Sequence, residues 1–312
     1  MSQDLSSSVR WWHMAACAVH LISFVVLAML DQPKTFPGDI GPYSYAYACA
    51  NATGCDVSDS LASAYVTSTP QQGVLANEFI TAMSHAIGVA VAWSYKERRP
   101  LESWRRWTEY AVTAGILECS ILFGFGVRDF FVFVLVFALN AALQYTGGLS
   151  LDQIQNSEDK ALYKAQKPIL LVQSFVFLLV QIWFTITTAA NAETDTLGSE
   201  IVTSSVLYAV FYASFGVLQT LKHTVVDFEQ SYDADVGFIV LSVTSKLCLS
   251  YHAVSIQKQI EQSLSDAPDT LSNTVDQLRA AVTALYVVSA VAVGLYAVWP
   301  QMCKKDNRYD DL

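Results

Sequence analysis

Several runs of about twenty residues in this chain are almost free of charge, each long enough to cross roughly 30 Å of hydrocarbon as a helix. Composition agrees: of 312 residues 53% are hydrophobic and only 15% charged, whereas a soluble domain carries about 25% charged residues. The chain therefore reads as an all-α integral membrane protein, one membrane domain over residues 1–312 that rests in a lipid bilayer.

Seven spans are expected between residues 11 and 256: Trp11–Leu30, Phe79–Tyr95, Trp104–Val127, Phe130–Gly148, Ile169–Ala190, Ile201–Leu221 and Val236–Ile256. Because the run after Arg10 is long and lacks a small-residue cleavage site, it reads as a span and not as a cleaved leader. An eighth, C-terminal span is expected at 278–299, where apolar residues continue all the way round the helix. The polar loop 31–77 is rich in Pro, Gly, Ser, Thr and Tyr, and its alternating pieces SYAYACA and ASAYVTST read as a short β-hairpin. Within it Cys49 and Cys55 are close enough in sequence for a disulfide if the loop is extracytoplasmic; two free thiols are the alternative. The tight basic stretch KERRPLESWRR is read as the loop before the third span, the segment 149–167 as a polar loop, and Pro168 as the first turn of the fifth.

Orientation follows from the basic residues. With the N-terminus inside, thirteen of the eighteen Lys and Arg fall on the inner face and four outside, with Lys246 between them; cytoplasmic loops carry the excess of positive charge. The N-terminus is therefore expected in the cytoplasm, and an eighth span would return the C-terminus there. The net charge of −10 argues against a nucleic-acid partner.

Lys246 stands at the midpoint of the seventh span. An ammonium group at that depth is costly and marks a functional site by default, and a desolvated lysine suits Schiff-base chemistry with an aldehyde. Such a cation needs a nearby anion. Two acids are read as lying clearly within spans, Glu109 and Glu118. Nine residues at about 100° each put them on opposite sides of the third helix, and Glu109 matches Lys246 in depth, so Glu109 is expected as its partner. Arg106 and Thr113 share the Glu109 face, and Ser242 precedes the lysine by one turn. Glu118 reads as a protonated carboxyl hydrogen-bonded to a neighbouring helix. His20 and His85, on the first two spans, are candidates for a proton relay, while His13, His223 and His252 receive no role. Asn140 and Gln144 lie one turn apart on one face of the fourth span.

Seven spans with a lysine in the seventh, an inside N-terminus, a long first outer loop, RRWTEY opening the third helix and SVTSK in the seventh together resemble the heliorhodopsins, over about 11–256. The resemblance implies a rhodopsin-like seven-helix bundle and a light sensor, often dimeric, with no enzymatic activity. Its cofactor would be retinal, all-trans in the dark and bound covalently to Lys246 as a Schiff base. The counterion would be Glu109, the hydrogen-bonding neighbour Ser242, and the inner polar cluster His20 and His85 beside Arg106. Asn140 would contact the retinal, with Thr113 and Gln144 on the same pocket. Trp183 and Phe211 are candidate aromatic walls, ordinary helix packing being the alternative. Tyr251 stands where a pocket tryptophan is expected. The eighth span and Glu118 depart from the family pattern. Some relatives, notably viral ones, conduct protons in light, which makes a light-activated proton transporter with Glu118 or Glu200 on an outer route the first rival reading. The second is a non-photoactive transporter or receptor in which Lys246 binds an anion.

Overall fold

The computed structural model describes residues 2–29, 38–40, 43–51, 54–61, 66–92, 95–155, 159–191, 198–224 and 232–264, with side chains over 9–29, 69–91, 101–155, 159–190, 201–224 and 234–257. Among them the chain is a ring of helices: α1 (Ser2–Met29), α2 (Pro70–Ala92), α3 (Tyr95–Gly124), α4 (Phe130–Gln144), a π-helical turn (Tyr145–Ser150) running into the short α5 (Leu151–Gln155), α6 (Lys160–Asn191), α7 (Gly198–Thr224) and α8 (Tyr232–Leu264). Each membrane-length helix packs on the next, and α8 closes the ring by packing on α7, α1, α2 and α3. Six of these stretches are long and apolar enough to cross a membrane: Val9–Met29, Pro70–Val91, Phe130–Gln155, Lys160–Ala190, Ile201–Thr224 and Ala234–Gln257. The remaining long helix, α3, opens on a charged stretch, and its charged side chains from Glu102 onward are turned into the bundle.

Exposed apolar side chains such as Ile22, Met29, Phe131, Ile169, Val172 and Leu179 cover the outside, where lipid is the solvent. The inside is polar at one layer after another, and α8 is the most enclosed element, with 78% of its span buried.

Chain direction orders the layers. The four strands lie between the end of α1 and the start of α2, which makes that end of the bundle the strand end. Strands β1 (Gly38–Ile40) and β4 (Val66–Ser68) pair antiparallel, as do β2 (Tyr43–Asn51) and β3 (Gly54–Leu61), with Cys49 opposite Cys55 in the backbone register. The side chains of these strands, like the segment 278–299, lie outside the described residues.

Several helices start earlier than their apolar runs do, for identifiable reasons. α2 begins at Pro70, nine residues ahead of the expected Phe79: Thr69 Oγ1 accepts from Gln72 N at 3.2 Å and Gln72 Oε1 accepts from Thr69 N at 3.1 Å. This is a reciprocal capping box with proline at the first helical position. The expected basic loop KERRPLESWRR is instead the first turns of α3. The expected polar loop 149–167 is largely helical, because the fourth span continues through the π turn to Gln155 and α6 begins at Lys160. Pro168 is therefore inside α6, not in its first turn. The additional turns are anchored where Asp159 caps Leu162 N at 2.9 Å, Tyr163 meets His223 at 3.1 Å and Lys167 donates to the His223 carbonyl at 2.8 Å. In the π turn, Gln219 Nε2 donates to the Gly147 carbonyl at 2.8 Å, one of the backbone groups that a wider turn frees.

Candidate functional site

At mid-bundle α2, α3 and α8 bring a cation and an anion together. Lys246 Nζ donates to Glu109 Oε1 and, at 2.9 Å, to Thr81 Oγ1. The other Glu109 oxygen accepts from Ser84 Oγ at 3.0 Å and from Arg105 Nη1 at 3.2 Å. Both members of the pair are 5% exposed, and the face of Tyr110 lies 5.2 Å from the amine. A buried ion pair of this kind survives only when its remaining lone pairs and protons are satisfied, which Thr81, Ser84 and Arg105 do. Thr113 is buried one turn beyond, but its hydroxyl donates to the Glu109 backbone carbonyl at 2.8 Å and does not reach the carboxylate.

Three expectations are corrected here. The arginine on Glu109 is Arg105, not Arg106: residues four apart share a face, whereas Arg106 is turned about 100° further and bonds Asp235 at the start of α8 at 2.6 Å. The hydroxyl that accepts from the amine is Thr81 on α2, not Ser242, which is buried on α8. His20 and His85 are neighbours, as their stacked rings show, but their polar partners lie on opposite sides of the lysine layer. His20 Nδ1 meets Glu78 Oε2 at 2.7 Å, one turn towards the strand end, because α1 and α2 run antiparallel and His20 faces the first half of α2. His85 lies on the opposite side, its Nδ1 2.9 Å from His13 Nδ1, and the His20 and His85 rings stack at 5.9 Å. Beyond them, His13 Nε2 is 3.5 Å from Glu102, which forms a two-point pair with Arg105 at 2.6 and 2.8 Å.

More acids are buried than the two expected within spans. Glu78, Glu102, Asp152 and Asp235 are all enclosed. Asp152 holds a second ionic group: its Oδ1 accepts from Lys222 at 2.6 Å with His223 Nε2 at 3.3 Å, and its Oδ2 accepts from Ser103 at 2.7 Å and Trp107 Nε1 at 2.8 Å. The sequence signal for it was present in Lys222 and His223 closing an apolar span with no acid of their own. A fourth helix that ends with its apolar run at Gly148 leaves Asp152 in a loop, whereas the helix continues to Gln155.

The amine opens on one side to a pocket of about 890 Å³ of empty space, part of it open to the exterior. Its aromatic walls include Trp107, Tyr110, Tyr208, Phe211, Tyr212 and Phe215, and Lys246 itself lies on the wall. Phe211 and Gln144 line it. Asn140 sits behind the wall, donating to the Ala111 carbonyl at 2.9 Å and accepting from Tyr212 OH at 2.9 Å. Trp183 does not line it: the residue is 71% exposed on the outer face of α6, a position the helical phase of an all-round apolar run does not reveal. Tyr251 and Thr113 are likewise absent from the wall. Glu118 borders the pocket and accepts from Gln181 Nε2 at 3.1 Å and Thr185 Oγ1 at 3.3 Å. The side chains of Glu200, Cys49 and Cys55 lie outside the described ones.

A large aromatic-walled pocket with one buried, carboxylate-paired primary amine on its wall has the donor set for an apolar aldehyde held through nitrogen. The family model described as Heliorhodopsin matches residues 9–256. No curated protein matches the chain.

Proposed function

The chain belongs to the heliorhodopsin family, a family of retinal-binding rhodopsins, and from that premise we propose that it is a light-sensing photoreceptor with Lys246 as the retinal attachment site and Glu109 as counterion. The observation that carries the reading is the buried Lys246–Glu109 pair on the wall of the aromatic pocket. Bound to the lysine as a protonated Schiff base, all-trans in the dark, retinal supplies light absorption and isomerisation.

The chain's own residues do the rest. Glu109 holds the positive charge on the Lys246 nitrogen, and Thr81 and the Tyr110 ring give that nitrogen a hydrogen-bond acceptor and a π face. Arg105 and Ser84 fix the carboxylate so that its charge stays directed at the nitrogen. Trp107, Phe211 and Phe215 exclude water along the polyene slot. A change of shape in the slot acts on Trp107, which also bonds Asp152, and so on the group that ties α3, α5 and α7 together.

The same reading includes a cytoplasmic N-terminus, a hairpin in the first extracellular loop, an eighth span at 278–299, a homodimer and a signalling role in place of catalysis. Voltage-clamp recording in light tests the sensor assignment. A transient charge displacement with no stationary current is the expected result. A stationary proton current abolished by Glu118→Gln or Glu200→Gln would replace the sensor with a transporter.

A further inference from the structure

Glu109 is the anion nearest Lys246, but its surroundings make it a poor place to leave a proton. One carboxylate oxygen faces the lysine and the other faces Arg105 at 3.2 Å. Once the lysine nitrogen is neutral, Arg105 still requires Glu109 as an anion, and protonating Glu109 would leave a guanidinium 6% exposed without half of its neutralising charge.

One turn towards the strand end stands a second carboxylate with different neighbours. Glu78 is 0% exposed. Its Oε1 accepts from Ser250 Oγ at 2.6 Å and from Asn77 Nδ2 at 3.3 Å, and its Oε2 meets His20 Nδ1 at 2.7 Å. None of these partners is a lysine or arginine. The two layers are joined twice. On α2, Thr81, which accepts from Lys246 at 2.9 Å, is three residues from Glu78; on α8, Ser250 is four residues from Lys246. Spacings of three and four keep both connections on facing helix surfaces.

We propose that Glu78, with His20 behind it, is a second proton acceptor for the Lys246 nitrogen, lying on the strand side and opposite to Arg105. This rests on the retinal reading above and adds to it a residue and a direction. In the step, the N–H bond on the Lys246 nitrogen breaks and an O–H bond forms on Glu78. The nitrogen becomes neutral, the carboxylate becomes an acid, and the Arg105–Glu109 pair is untouched. The absorbed photon supplies the driving force. The new O–H bond forms on Oε1, where the Ser250 hydroxyl changes from donor to acceptor, while Oε2 goes on accepting from His20 Nδ1, so His20 keeps its proton and its tautomer. Both His20 and Glu78 are fully enclosed, so the proton is stored and returned and does not escape to the strand-side solution.

Light-minus-dark infrared difference spectroscopy on the full chain, loaded with retinal in lipid, tests this. Wild type is expected to show a carboxylic-acid C=O band in the light. The band should be lost in Glu78→Gln and shifted in Glu78→Asp, with the visible band of the same sample reporting that the protein is folded and loaded. A light-induced acid band of full amplitude in a coloured Glu78→Gln sample, or one unmoved in Glu78→Asp if the Gln variant takes up no retinal, would overturn the proposal, as would a coloured wild type with no acid band. A wild type with no visible band would instead overturn the retinal reading on which the proposal stands.

Discussion

At the scale of single residues, the site is decided by which charges share a layer. Lys246 and Glu109 were both legible in the sequence, because a lone lysine at mid-span demands an anion and only one acid of the third helix matched its depth. The identity of the supporting residues was not legible. Arg105 and Arg106 are adjacent, both fall within one turn of Glu109, and only the position of α8 decides that Arg106 goes to Asp235. Glu78 was hidden for another reason: it precedes the apolar run of the second span by one residue, and hydropathy alone places it in the loop. The Glu109 assignment has a direct consequence. Glu109→Gln removes the nearer negative charge from a buried cation, so the visible band of the loaded protein should move to longer wavelength or give way to the short-wavelength absorption of an unprotonated nitrogen. An absorption spectrum identical to wild type would mean that another group is the counterion.

At the scale of elements, helix number and order followed from apolar run length, whereas helix ends did not. Hydropathy measures contact with lipid, and the extra turns at the starts of α2, α3 and α6 are held by caps and buried polar groups instead. The capping box at Thr69 and Gln72 is a signal in the sequence that was available but lies inside a segment dominated by Ser, Thr and Pro. The π turn after α4 is the element with the sharpest structural requirement. A Cβ at Gly148 would meet the Trp107 ring at 2.2 Å, and that ring is held between the pocket and Asp152. Gly148→Ala should therefore force a rigid side chain to move, at an overpacking cost of about 1–3 kcal/mol. Thermal denaturation of the detergent-solubilised protein should show a lower midpoint, and the variant should take up less retinal. A melting curve and a retinal occupancy equal to wild type would contradict the packing described.

At the scale of the whole molecule, the ring of helices separates an apolar exterior from a layered polar interior in which α8 is the shared wall. The fold class and the family were legible from the lysine helix, RRWTEY and SVTSK, because charge inside a membrane bundle is rare enough to be informative. The division of the interior into a Glu78 layer, a Lys246 layer and an Asp152 layer was not, since it depends on how antiparallel helices align and not on any one of them. The charge asymmetry of the loops predicts that tags at both the N- and C-termini are reached only from the cytoplasmic side of intact cells; labelling of the C-terminal tag from outside would remove the eighth span from the account.

The central claim is that the Lys246 amine, paired with Glu109, is the point at which retinal is held. Adding all-trans retinal to purified protein with and without Lys246→Ala tests it most directly. The account predicts a visible absorption band in the wild type and none in the variant; a wild type that stays colourless, or a band that persists without the lysine, would contradict it.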